Sequence, residues 1–249
     1  MGLPGRSSDA YGLAMTMPYR LHYAPDNASL IIRLALEEMG LAYATVLVDR
    51  AAKAQRSPAY LKLNPNGLIP VLETPQGPLF ETGAILLWLS DAHGSLAPAP
   101  QDADRADYLK WLFWVSNTLH TDLRMTFYPG VYVGPDPPAQ SALSDTVQKR
   151  LRVHLSNLDS VARQTPRWLS GTTPTGLCYY IACLLRWMAL YPQVTDRNWF
   201  DLSATPHLHG LLAALETRSA TQAAAVSEGL GPTPFTSPRY ANPSHGSAT

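Results

Sequence analysis

The sequence predicts two units: a small α/β domain with a mixed sheet, followed by an all-helical domain. Three observations carry this. Residues 19–93 read in the order β-α-β-α-β-β-α, with a two-residue period in the strands and a helical period between them. Residues 103–228 show the helical period alone. Between them, residues 94–102 hold Pro98, Pro100 and small residues, the composition of a linker.

Taken in order, Tyr19-Arg20-Leu21-His22-Tyr23 alternates as a short strand, and Ala24-Pro25-Asp26-Asn27 has turn chemistry. Ser29 to Met39 reads as a helix with Leu30, Ile31, Leu34, Leu36 and Met39 apolar and Gly40 as its stop. Asp26, Asn27 or Ser29 can cap its first turn. Tyr43 to Val48 is a second strand, and Ser57 to Leu63 a short helix. Asn64-Pro65-Asn66-Gly67-Leu68-Ile69-Pro70-Val71-Leu72 is a polar turn running into a strand with a proline near its start. Such a proline suits an edge or a special turn. A cis Ile69-Pro70 bond would be a special turn that leaves the Ile69 N–H and C=O to pair with a bound peptide. An ordinary turn before an edge strand is the alternative. Ile69 to Glu73 and Pro78 to Phe80 make a hairpin around Gln76-Gly77, and Thr82 to Ala92 is a mostly apolar helix.

In the second unit, Leu109, Leu112, Ser116, Leu119 and Leu123 fall at helical spacing in one long helix. Tyr128-Pro129-Gly130 breaks it, and Gly134-Pro135-Asp136-Pro137-Pro138 continues the break. Ser141 to Arg163 is amphipathic, with Val147, Leu151, Leu155 and Leu158 on its stripe. Thr175 to Leu190 is apolar nearly all round and should be the buried central helix; Pro206 to Arg218 is a shorter one.

Composition narrows the function. The 249 residues carry no formal net charge and no basic block, which argues against nucleic acid as a partner. No stretch approaches the ~18 apolar residues of a membrane span. Cys178 and Cys183 are five apart in one apolar helix, so they form neither a disulfide framework nor a metal motif and suit a reducing compartment, here taken as cytoplasmic. Residues 1–18 are read as a disordered leader or tag, with Met15 or Met17 as possible native starts; residues 229–249, rich in Pro, Gly and Ser, are read as an extended, loose tail.

Four segments together resemble the cytosolic glutathione transferases, nearest the bacterial beta-type members. They are Tyr23-Ala24-Pro25-Asp26-Asn27-Ala28-Ser29-Leu30, the Asn64 to Pro70 loop, Trp111-Leu112 with Leu119-His120, and Leu184-Leu185-Arg186-Trp187 with Glu228-Gly229-Leu230. The resemblance covers residues 19 to 230. It implies a thioredoxin-like first domain (19–93), an all-helical second domain (103–228), a homodimer, glutathione as co-substrate, no metal, and conjugation of the glutathione thiolate to a small apolar electrophile. A glutathione-dependent reductase, etherase, dehalogenase or isomerase, or a binding protein of this fold with little catalysis, are the alternatives.

The resemblance also implies roles for residues. Ile69, before Pro70, would pair with the tripeptide backbone. Glu81-Thr82 would hold the γ-glutamyl end, with Thr82 able to cap the next helix. Lys53 falls where a lysine meets the glycyl carboxylate. The thiolate needs donors at a helix N-terminus. Here the chain departs from the beta-type pattern: the cysteine position is Ala28, which excludes a mixed disulfide there. Ser29 is the first candidate donor and Asn27 the second; both could instead merely cap the helix. His120 falls where a histidine faces the sulfur from the second domain, and Thr121 stands where a lysine often follows. Trp111, Phe113, Trp114, Phe127, Tyr128 and Tyr132 surround the break after the long helix; most are expected in the core, with Tyr128 and Tyr132 nearest a ligand. Thr175-Gly176-Leu177-Cys178 has lost the acidic half of a capping box. Pro234-Phe235 could fold over the site or dangle.

Overall fold

The computed structural model describes residues 19–243; the leader at 1–18 and the end of the tail lie outside the described residues. Strand β1 (Tyr19–Tyr23) lies between β2 (Tyr43–Leu47), with which it is parallel, and β3 (Val71–Thr74), with which it is antiparallel. Strand β4 (Gly77–Phe80) closes the order β2-β1-β3-β4. Leu21 faces Leu72 across the ladder, Leu72 faces Leu79, and Leu21 and Leu72 are fully buried. Helices α1 (Ser29–Glu38) and α3 (Thr82–His93) cover the sheet, and the short α2 (Pro58–Leu61) precedes β3.

The helical domain begins with α4 (Arg105–Trp114), which runs through a π-helical stretch at Val115–Leu119 into α5 (His120–Phe127). The one long helix expected here is therefore continuous but carries a bulge immediately before His120, a place where helices commonly re-aim side chains. The expected break at Tyr128 is real but brief. Pro129 starts α6 (Pro129–Val133), and Pro137 starts α7 (Pro137–Ala162) with Asp136 capping Ala139 N–H at 3.1 Å. Proline costs nothing in a helix's first turn, where its missing N–H would be unpaired anyway.

Helix α8 (Gly176–Leu190) is the buried centre, as its apolar composition required. The Thr175 half of the capping box is lost along with the acidic half: its hydroxyl donates to Trp168 C=O at 2.8 Å instead of capping α8. Burial pushes the Cys178 and Cys183 thiols up, which suits inert core residues. Helix α9 (Pro206–Glu216) ends earlier than expected, and α10 (Ser219–Glu228) was not anticipated.

Residues 230–243 carry no helix or strand, as their composition implies, but they are not loose. Leu230, Phe235 and Ala241 are buried, and Glu216 accepts from Phe235 N–H and Thr236 N–H, both at 2.7 Å. Phe235 therefore neither dangles nor covers the site. The two domains are clasped at the end of α1, where Glu38 accepts from Tyr179 at 2.5 Å and pairs with Arg218.

Candidate functional site

A cleft of about 410 Å³ lies between the domains. It gathers Asn27, Ile69, Pro70, Glu81, Thr82 and His120 from the predicted set, and leaves out Ser29 and Lys53. A larger hollow of about 840 Å³ sits between the linker, the loop before α8 and α9; none of the predicted site residues lines it.

The wall from the first domain is built mainly by backbone. The Ile69-Pro70 bond is cis, and the Ile69 N–H and C=O pair with nothing among the described residues. The loop before it is fixed by Leu68 C=O, which accepts from Asn64 Nδ2 at 2.8 Å and Tyr60 Oη at 2.9 Å. Gly67 has φ +61°, and a Cβ there would stand 2.8 Å from Arg56 Nη1 and 2.9 Å from Gln55 C=O, so only glycine fits. Glu81 has φ +71°, a left-handed value that is costly for a non-glycine residue and is tolerated mostly at functional sites. It is the residue before α3, and Thr82 is the first residue of the helix rather than its cap. No side chain caps α3 among the described residues, so plain capping does not explain Glu81-Thr82. The free N–H groups there favour a carboxylate.

Lys53 is exposed, with φ +54°, and lies away from the cleft. Arg56 and Gln55, three and two residues on, line it instead. Gln55 Oε1 is buried and has no donor among the described residues.

The turn at Asn27 separates the two candidate donors. Ser29 is fully buried, accepts from Ala24 N–H at 3.3 Å and donates to Ala24 C=O at 3.1 Å. Its hydroxyl closes the β1–α1 loop and does not line the cleft. Asn27 lines the cleft. Its Oδ1 accepts Ala28 N–H at 2.8 Å, which orients the amide and leaves its NH2 group as the donor. Neither residue caps the second or third N–H of α1.

The opposite wall is built by side chains of the helical domain. His120 Nδ1 lies 2.8 Å from Tyr180 Oη. Burial pushes the Tyr180 phenol up, and the Ser116 hydroxyl pulls it back, the effect of a donor on the phenol oxygen. A phenol that gives its proton to Nδ1 holds a neutral imidazole with its own proton on Nε2. Burial first, and then the Arg124 charge, push His120 down to about 4, so the ring is neutral near pH 7. Thr121 supplies no cation, but Arg124, one turn past His120, lines the cleft. Phe127, Tyr128, Val131 and Trp187 complete this wall; Tyr132 is not part of it. Trp111 instead stacks on Trp168 and meets Trp114 edge-on, so these indoles are packing residues. Arg124, Arg50 and Tyr180 were missed in the sequence, although the i+4 spacing of Arg124 from His120 places both on one helix face.

Asp26 joins the two walls. It is fully buried with φ +53°. Its Oδ1 accepts from Arg186 Nε at 2.7 Å and Trp187 Nε1 at 2.8 Å. Its Oδ2 accepts from Arg186 Nη2 at 2.8 Å and Tyr191 Oη at 2.7 Å. Its N–H donates to Glu228 Oε2 at 2.8 Å, and Glu228 Oε1 accepts from Arg33 Nε at 2.7 Å. Burial pushes the Glu228 carboxyl up to about 7, against the pull of Arg33 and the Asp26 N–H. Arg186 also donates to Pro234 C=O at 2.9 Å and Arg239 C=O at 2.7 Å. Every lone pair of this buried pair is used, the condition for tolerating charge in a core.

A family model for the glutathione S-transferase N-terminal domain matches residues 17–91. Glutathione S-transferase GST-4.5 of Xanthomonas campestris pv. campestris is 29% identical over 213 residues, covering 85% of this chain and 99% of its own. Maleylacetoacetate isomerase of Rhizobium meliloti is 30% identical over 203 residues, covering 80% and 89%. Among solved structures, a sphingomonad glutathione S-transferase complexed with glutathione superimposes with TM-score 0.69 at 28% identity, over 85% of this chain and all of its own. A bacterial beta-class enzyme from Sphingomonas chungbukensis does so with TM-score 0.66 at 26% identity, over 84% and 98%. With a thioredoxin-like domain, an all-helical domain and a cleft between them, the chain belongs to the cytosolic glutathione transferase superfamily, close to its bacterial beta-type members.

Proposed function

We propose that the cleft binds glutathione along the first domain and adds its thiolate to an apolar electrophile seated against the helical domain. The observation that carries this is the convergence of an unpaired backbone edge at Ile69 with the uncapped α3 N-terminus at Glu81-Thr82. A peptide with a free amine and carboxylate at one end needs both. Glu81 meets the amine and the α3 N–H groups the carboxylate; Arg56 and Gln55 take the glycyl end in place of Lys53. Asn27 is the principal donor to the sulfur, with His120 Nε2–H facing it from the second domain.

Neither group holds the thiol proton near pH 7, since an amide cannot take one and His120, pushed down to about 4, is too weak a base to keep it. The thiol proton therefore leaves to solvent, and the site works by making the thiolate the favoured form. The sulfur lone pair then forms the C–S bond while the leaving group, or an electron-poor π bond, takes up the displaced pair.

We read the assembly as a cytoplasmic homodimer with a detoxifying role; Phe113, 56% exposed on α4, is an apolar side chain such an interface would cover. The test is calorimetry with glutathione, thiolate absorbance of the complex, and turnover of 1-chloro-2,4-dinitrobenzene. Asn27→Ala should raise the bound thiol pKa and lower kcat/KM by ~10–100-fold. His120→Ala should do so less, and Ser29→Ala should leave the thiol pKa in place. Absence of glutathione binding would remove the reading, and a larger thiol shift in Ser29→Ala than in Asn27→Ala would reverse the assignment.

A further inference from the structure

The cleft as a whole is more cationic than glutathione and an apolar electrophile require. Arg50, Arg56 and Arg124 line the cleft, against two acids, Asp26 and Glu81. Asp26 is saturated by Arg186, Trp187 and Tyr191. On the preceding reading, Glu81 and Arg56 are used by glutathione. Arg124 is left over. Its side chain makes no ion pair and no hydrogen bond among the described residues; it lies over the Tyr128 ring, with Cζ 5.6 Å from the ring centroid. Tyr128 is itself held from the other domain, because its hydroxyl accepts from Arg50 Nη2 at 3.2 Å. A guanidinium held over the face of an anchored ring has less freedom to lose on binding an anion than one in open solvent. Beside it, Phe127, Val131 and Trp187 offer the apolar surface.

We propose that the electrophile carries a carboxylate, and that Arg124 holds it while the apolar remainder packs on Phe127, Val131 and Trp187. The proposal rests on the glutathione reading of the cleft. Arg124 is then a specificity residue: it grips the acceptor at a point remote from the sulfur and sets which electrophiles are turned over. The nearest ionisable neighbours agree. His120 is neutral near pH 7, so it neither competes for the anion nor repels Arg124 strongly. Glu81 lies across the cleft on the glutathione side.

The experiment compares 4-chloro-3,5-dinitrobenzoate with its methyl ester, each rate divided by its uncatalysed rate with glutathione. In both, the sulfur pair forms the C–S bond and chloride leaves with the C–Cl pair, so only the carboxylate differs. Wild type should prefer the acid in kcat/KM by at least ~10-fold, the value of a charge-assisted bidentate contact. Arg124→Gln should bring the acid-to-ester ratio to about one, chiefly through KM of the acid, and Arg124→Lys should restore part of it. Glutathione affinity measured by calorimetry should change by less than about 2-fold in Arg124→Gln, because Arg124 lies outside the tripeptide's contacts. Equal use of acid and ester by a wild type that binds glutathione would overturn this inference and leave the glutathione reading standing. So would an Arg124→Gln variant that loses both acceptors equally or loses glutathione. A wild type that does not bind glutathione would overturn both.

Discussion

The two walls of the cleft are made by different means. The first-domain wall is backbone: an unpaired edge at Ile69, a glycine at 67 that admits Arg56, and a left-handed Glu81 before an uncapped helix. The helical wall is side chains: His120, Arg124, Phe127, Tyr128 and Val131 project from α5, α6 and the residue between them, with Tyr180 and Trp187 from α8 behind them. Backbone recognition tolerates little variation, because it depends on dihedral angles and close approach. A helical surface can change residue by residue without disturbing its own hydrogen bonds. The first wall thus suits a constant ligand and the second a variable one.

The contrast can be broken most severely at the joint between the walls. Asp26→Ala leaves Arg186 charged and buried without its partner, and should lower the unfolding free energy in urea by ~3–5 kcal/mol. A loss below ~1 kcal/mol would show that apolar contact alone holds the walls together. Next comes the ligand-facing part of the backbone wall. Glu81→Gln keeps the size of the side chain but removes its charge, and should weaken glutathione by ~10-fold, read by calorimetry, with a smaller effect on kcat. A change in kcat alone would move Glu81 out of tripeptide binding.

The helical wall is sharpened by pH. An unfolded imidazole takes up its proton near pH 6.5, whereas His120 does so at about 4. Between those values the unfolded state binds more protons, so stability falls as pH falls. From pH 7 to pH 5 the loss due to His120 should be about 2 kcal/mol, and His120→Phe should flatten that part of the urea-stability profile. The same shift predicts that kcat/KM shows no inflection near pH 6.5. The smallest effect belongs to Ser29→Ala, which opens a local loop closure and should cost ~1 kcal/mol with little change in the pH dependence of turnover. A displaced pH–rate profile would return Ser29 to the site.

The strands and most helices were legible because burial imposes a period on the residues that meet the core. Helix α10 was not: its buried face is Ala220, Thr221, Ala224 and Ala225, which carry almost no hydrophobic contrast. The tail misled for the opposite reason. Its composition describes a chain that cannot form a core of its own, but Glu216 and Arg186 supply partners from elsewhere. In the site, Ile69, Glu81 and Thr82 were readable because a backbone motif is contiguous. Arg124 was readable in principle, from its spacing to His120. Asn27 and Ser29 could be ranked only by knowing which way each side chain points. The Asp26 joint has no local signal, since its partners lie 160 and more residues away.

That separation has a bearing on how the protein is made. N-terminal domains fold first during synthesis. Here the turn that carries Asn27 starts from a residue whose N–H is held by Glu228 and whose carboxylate is held by Arg186, itself tied to the backbone at Pro234 and Arg239. The sheet can assemble on the ribosome, but the turn at Asn27 acquires its final anchors only after residue 239 has been translated. A nascent chain stalled before that point would carry the first domain without a finished Asn27 turn, so on the proposed reading acquisition of glutathione affinity should coincide with arrival of residues 234–239 rather than with folding of the domain that supplies most of its contacts.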